Sequence, residues 1–85
     1  MEKRLSKIGN VRTGMNKRAT ILVVDDENGV RQSFNMVLRD EYDVLLAGNG
    51  KEAIDIFTKN PVDLMLLDIR LPDIDGLDLL GKLKE

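Results

Sequence analysis

Three aspartates, Asp25, Asp26 and Asp68, sit where uninterrupted apolar runs end, and that placement gives them possible chemistry. Thr20-Ile21-Leu22-Val23-Val24 stops at Asp25-Asp26-Glu27. Leu64-Met65-Leu66-Leu67 stops at Asp68 and runs into Ile69-Arg70-Leu71-Pro72-Asp73-Ile74-Asp75-Gly76. A short apolar run without polar alternation reads as a strand buried on both faces, as in a parallel sheet. Open α/β sheets bind ligands at the carboxyl ends of their strands. With the first and third strands side by side, the three carboxylates converge at one edge. Crowded carboxylates raise one another's pKa values. A hard divalent cation relieves that repulsion and prefers oxygen ligands. Mg²⁺ takes one or two carboxylates and leaves other positions to water and phosphate oxygens. A carboxylate beside such a cation can attack phosphorus and become an aspartyl phosphate, while the cation neutralises charge on the phosphoryl group in transit.

A single Asp at a strand end is ordinarily a turn former or helix cap. An Asp-Asp pair after one apolar strand, a second apolar strand ending in Asp, then Pro and Asp-Gly, is a far more specific pattern. Glu27 is expected in the first helical turn, either solvated or acting on a metal through another ligand. Asp73 and Asp75 read as turn and cap residues. A calcium loop at Asp73-Ile74-Asp75-Gly76 is excluded, because the EF-hand spacing needs a ligand at Leu71 and an acid at Lys82. An aspartate-nucleophile phosphatase of the haloacid dehalogenase type wants Asp-x-Asp after its first strand, and the sequence has Asp25-Asp26-Glu27.

The elements that must position these residues alternate. The first strand is Thr20–Val24, β-branched and apolar. A helix from Asn28, its N-cap, to about Arg39 sets Val30, Phe34, Val37 and Leu38 on one face. Asp43–Ala47 is the second strand, and Gly48-Asn49-Gly50 is a turn whose glycines tolerate positive φ. A second helix to about Lys59, with Ala53, Ile54 and Phe57 inward, stops at Asn60-Pro61. Leu64–Leu67 is the third strand. Asp75-Gly76 opens a third helix with Leu77, Leu80 and Leu83 inward. The order βαβαβα predicts an α/β fold with parallel strands and right-handed crossovers.

Composition narrows the chemistry. The 85 residues suffice for one small domain of marginal stability. There is no Cys and no His, so disulfides, thiolate metal sites and the commonest general base are excluded. Any metal is held by oxygen, which favours Mg²⁺, Mn²⁺ or Ca²⁺. Net charge is −2, unevenly spread. Residues 1–18 carry six basic residues against Glu2, whereas residues 19–85 carry seven basic and fourteen acidic residues. The first segment reads as a basic flexible arm or leader, and Met15 could itself begin the domain. The acidic remainder does not seek nucleic acid by charge. No apolar run approaches the roughly 20 residues of a membrane span, and residues 1–18 contain no apolar core of a signal peptide. The expected location is the cytoplasm.

Three blocks resemble the receiver domain of bacterial two-component response regulators. They are Ile21 to Glu27, Ala47 to Ala53 and Asp63 to Gly76, in the family's order and at its spacing. The resemblance covers about residues 19–85. It implies a flavodoxin-like, CheY-like sheet of order 2-1-3-4-5. It also implies that Asp68 is the phosphoacceptor, taking a phosphoryl group from a phosphohistidine on a sensor histidine kinase with Mg²⁺ or Mn²⁺. Asp26 is implied as the direct metal ligand, Asp25 as the ligand acting through water, and Asp68 itself and the backbone carbonyl of Arg70 as further ligands. Pro72 and Gly76 shape the loop after the acceptor.

The chain is expected to be a truncated receiver of about three strands and three helices, a signalling module and not a metabolic enzyme. The family's later Ser or Thr, its Lys and its aromatic switch residue have no counterparts, and Lys82 and Lys84 cannot fill the Lys role. With order 2-1-3 the outer edge of the third strand is open, and a bare apolar edge invites association. A homodimer or higher assembly through that edge is expected. A phosphorylation-incompetent, self-associating interaction module is the alternative. No DNA-binding helix-turn-helix is expected.

Overall fold

In a computed structural model, residues 18–84 are described. They form β1 (Thr20–Val24), α1 (Asn28–Leu38), β2 (Asp43–Ala47), α2 (Gly50–Lys59), β3 (Leu64–Leu67) and α3 (Gly76–Leu83). The strands make one parallel sheet of order β2-β1-β3. The expected α/β alternation is therefore present, and the first and third strands are neighbours. Val24 pairs with Ala47 on one side and with Leu67 on the other. Most of the arm expected at residues 1–18 lies outside the described residues. Its last member, Arg18, donates to the carbonyls of Arg39 and of Tyr42 (2.7 Å) and lies 3.6 Å from the Asp43 carboxylate.

Strand alternation divides the apolar side chains between two faces. Leu22, Val24, Met65 and Leu67 join Ala47, Ala53 and Leu79 in a buried cluster, with Ile54, Phe57, Leu80 and Leu83 packed on it. Thus α2 and α3 cover that face, and Ala53, Ile54 and Phe57 point inward as the sequence predicts. Burying each Leu or Met contributes about 1.5–3 kcal/mol. Ile21 and Val23, of opposite parity, are also buried, and α1 packs on β1 and β2.

Local chemistry sets the helix ends. Asn49 caps α2, its side chain accepting from Glu52 N–H at 2.8 Å, and Asn60-Pro61 ends that helix. Asp75 caps α3, accepting from Leu77 N–H at 2.8 Å. Among the described residues, no helix is long and apolar enough to cross a membrane.

Four expectations are corrected. Glu27, not Asn28, is the N-cap of α1, without a side-chain cap bond; Asn28 is already helical and its carboxamide turns to Arg31. Val37 is 77% exposed, and with Gly29, Val30, Ser33 and Phe34 it lines an open groove along α1. Leu77 is 65% exposed and Leu79 is fully buried instead, so α3 is rotated relative to the expected stripe. Finally, Gly50, expected in the turn, opens α2, and neither Gly48 nor Gly50 lies in the left-handed region. Gly50 is required by contact: a Cβ there would lie 2.1 Å from Cγ2 of Ile74.

Candidate metal and phosphoacceptor site

The parallel ladder carries Asp25 and Asp68 past the strand ends side by side. Asp25 N–H donates to Ala47 C=O at 3.0 Å, and Asp68 N–H donates to Val24 C=O at 2.9 Å. Both residues are buried, Asp25 at 3% exposure and Asp68 at 1%. Each carboxylate also fastens its own turn: Asp25 Oδ1 accepts from Glu27 N–H, and Asp68 Oδ1 from Arg70 N–H, both at 2.9 Å. Asp26 and Glu27 are exposed.

Carboxylate oxygens of Asp25, Asp26 and Glu27 lie within 4.8 Å of one another. The sequence points to Asp25, Asp26 and Asp68 as metal ligands and to Glu27 as a solvated residue or one acting on the metal through another ligand; the structure groups Glu27 with Asp25 and Asp26. Asp68 belongs to the neighbouring strand end and is not a member of that tight trio. Three consecutive acids in one bend form an all-oxygen donor set, which fits a hard divalent cation.

The loop after Asp68 is folded back on itself. Gly76 N–H donates to Ile69 C=O at 2.8 Å, and Arg70 and Asp75 form an antiparallel bridge. A Cβ at Gly76 would lie 2.3 Å from the Ile69 Cα, so only glycine permits this approach. The backbone of Arg70, whose carbonyl is a candidate ligand, is therefore carried on a closed turn. Asp73 then ties the loop to the start of α2. Its oxygens accept from Gly50 N–H at 2.7 Å and Lys51 N–H at 3.0 Å. Those bonds, the Gly50 one foremost, hold its carboxyl below the ordinary range against some desolvation.

One residue at this edge escaped the sequence reading. Arg31, half-buried on α1, donates from Nη1 to Asp25 C=O at 2.7 Å and from Nη2 to Asn28 Oδ1 at 3.2 Å. Its guanidinium lies over Gly48, where an added Cβ would meet Nη1 at 3.2 Å. Gly48 N–H donates to Glu52 Oε1 at 2.8 Å. The spacing of Arg31 one helical turn after Asn28 was the available signal, since i and i+3 share a face.

The family sequence model described as the response regulator receiver domain matches residues 21–85. The chain belongs to the response regulator receiver family. Sporulation initiation phosphotransferase F of Bacillus subtilis is 45% identical over 65 residues, covering 75% of this chain and 52% of the relative. The transcriptional regulatory protein TrcR of Mycobacterium tuberculosis is 44% identical over 66 residues, covering 76% of this chain and 26% of the relative. Among solved structures, the response regulator TrrA of Thermotoga maritima, in complex with Mg²⁺-BeF, superposes with a TM-score of 0.73. It is 40% identical, and the match covers 78% of this chain and 58% of TrrA. A CheY-like receiver domain protein of Methanospirillum hungatei gives a TM-score of 0.77 at 32% identity, covering 79% of this chain and 54% of that one. The chain thus spans about half the length of the Bacillus subtilis phosphotransferase and about a quarter of TrcR, and it carries the β2-β1-β3 part of the receiver sheet.

Proposed function

We propose that this receiver takes part in a phosphorelay, with Asp68 accepting a phosphoryl group from a phosphohistidine of a sensor histidine kinase. One observation supports this reading above the rest. Asp68 is 1% exposed at the end of β3, and its neighbour across the ladder leads directly into the acidic trio. An Asp68 oxygen would attack phosphorus as the bond from phosphorus to the imidazole nitrogen breaks. The electron pair returns to the imidazole, and an acyl phosphate remains on Asp68. Asp25 and Asp26, with the Arg70 carbonyl, would hold Mg²⁺ or Mn²⁺, and Glu27 stands close enough to assist. The bound ion would supply charge neutralisation at the phosphoryl oxygens. The chain's own contribution is to orient Asp68 through the Arg70 N–H and to keep the acceptor loop closed through Gly76. The protein is read as a signalling module of the cytoplasm and not as a metabolic enzyme.

The test is direct. The chain is incubated with Mg²⁺ and a small acyl phosphate donor, and its intact mass is measured. An added phosphoryl group that is absent in Asp68→Asn is the expected result. No adduct under conditions that modify another receiver would sink the reading.

A second property is proposed from β3, whose outer edge has no ladder partner among the described residues. Unpaired N–H and C=O groups template pairing with another chain. A second copy, related by a two-fold axis, is the proposed occupant. Light scattering after size exclusion should show a mass above that of one chain, and a stable monomer at micromolar concentration would refute it.

A further inference from the structure

We propose that Arg31 is the positioning residue of the acidic turn, acting through the backbone of Asp25 to hold Asp26 and Glu27 ready for a divalent cation. The inference rests on the receiver reading of that site. Asp25 N–H continues the ladder to Ala47, so the next rung would be Asn49 N–H to Asp25 C=O. That rung does not form, because β2 ends at Ala47 and Asn49 turns away to cap α2. Arg31 Nη1 takes the vacated acceptor at 2.7 Å. The bond fixes the peptide plane that leads into Asp26.

A second restraint on the turn is Glu27 N–H to Asp25 Oδ1, at 2.9 Å. It draws on the carboxylate that a cation would also use. The Arg31 bond uses the backbone oxygen and does not compete. Asn28 Oδ1 receives the second arm of the guanidinium at 3.2 Å, and Gly48 leaves it room. A planar fork with several donors suits this two-point hold, and a lysine ammonium reproduces it poorly.

Charge and positioning predict opposite outcomes. Removing a cation beside three carboxylates would, by Coulomb attraction alone, tighten binding of a divalent ion. Removing a positioning residue loosens it. The experiment is a Mn²⁺ titration of the full chain, with free ion read by electron paramagnetic resonance. Arg31→Met keeps the stem and removes the donors. It is expected to bind Mn²⁺ about 10-fold more weakly at equal ellipticity, the cost typical of losing a residue that orients a ligand. Arg31→Lys is expected to recover part of the loss. Unchanged or tighter binding by Arg31→Met overturns the inference. Should that variant not fold, Arg31→Lys decides, since it keeps the charge and loses the planar fork: weaker binding than wild type supports the role and unchanged binding overturns it. A wild-type chain that binds no Mn²⁺ overturns the site reading itself, and Arg31 with it.

Discussion

The carboxylate of Asp73 closes the N-terminal end of α2 from 23 residues away, accepting from Gly50 N–H at 2.7 Å. Lys51 N–H adds a second bond at 3.0 Å. The first amides of a helix have no partners inside it, and an anion there is also favoured by the helix dipole. These bonds lower the folded pKa of Asp73 relative to the unfolded chain. Its contribution to stability is therefore complete above the ordinary carboxylate pKa of about 3.9. It is lost as pH falls through the lower folded value. Melting temperature measured from neutral to acid pH should fall less steeply across that interval in Asp73→Asn than in wild type. Parallel curves would remove the assignment.

Gly50 and Ile74 give a second prediction. A Cβ at Gly50 would lie 2.1 Å from Ile74 Cγ2, well inside contact distance. Forced overpacking of this kind costs typically about 1–3 kcal/mol. Gly50→Ala should be destabilised by that amount in urea, and Ile74→Ala in the same chain should recover much of it. Residues in contact couple, so the double-mutant cycle should show a non-additive term. Additive losses would mean that Ile74 is not what excludes the side chain.

In α3, Leu79 and Leu77 should behave oppositely. Leu79 is fully buried and Leu77 is 65% exposed. Leu79→Ala should cost about 2–5 kcal/mol, the range for a buried leucine. Leu77→Ala should stay within about 0.5 kcal/mol, as surface changes do. Chemical denaturation of the two variants checks both values. Equal losses would show that α3 packs through the other stripe.

That pair also marks where the sequence stops being informative. β1, β2 and β3 were legible because unbroken apolar runs between turn residues leave little else for them to be. Asp25, Asp26 and Asp68 were legible for the same reason, each being the first charge after a run. The sideways placement of β1 beside β3 came from the resemblance, since periodicity carries no strand order. Helix faces were blurred in α3 because leucines occupy 77, 79, 80 and 83, and several stripes through them are apolar. Asp73 reads from the sequence as a turn residue, but its grip on α2 spans 23 residues and depends on tertiary packing. Arg31 carries only the i, i+3 relation to Asn28, and its bond to the Asp25 carbonyl depends on where β2 ends, which lies outside its own helix.

Metal binding should show itself in stability without any phosphodonor. Asp25, Asp26 and Glu27 hold oxygens within 4.8 Å of one another, in a segment of residues 19–85 where fourteen acids face seven bases. The folded chain presents this trio ready-made, whereas the unfolded chain does not. A ligand that binds only the folded state stabilises it by about 2.7 kcal/mol at a hundred times its Kd. Saturating Mg²⁺ should therefore raise the melting temperature, and chelation should reverse the rise. General screening of a negative chain would also stabilise it, so NaCl at equal ionic strength is the control. The rise specific to Mg²⁺ should be lost in Asp26→Asn, whose exposed side chain leaves the core untouched. An equal rise with NaCl, or an undiminished rise in Asp26→Asn, would show that screening and not a site is responsible.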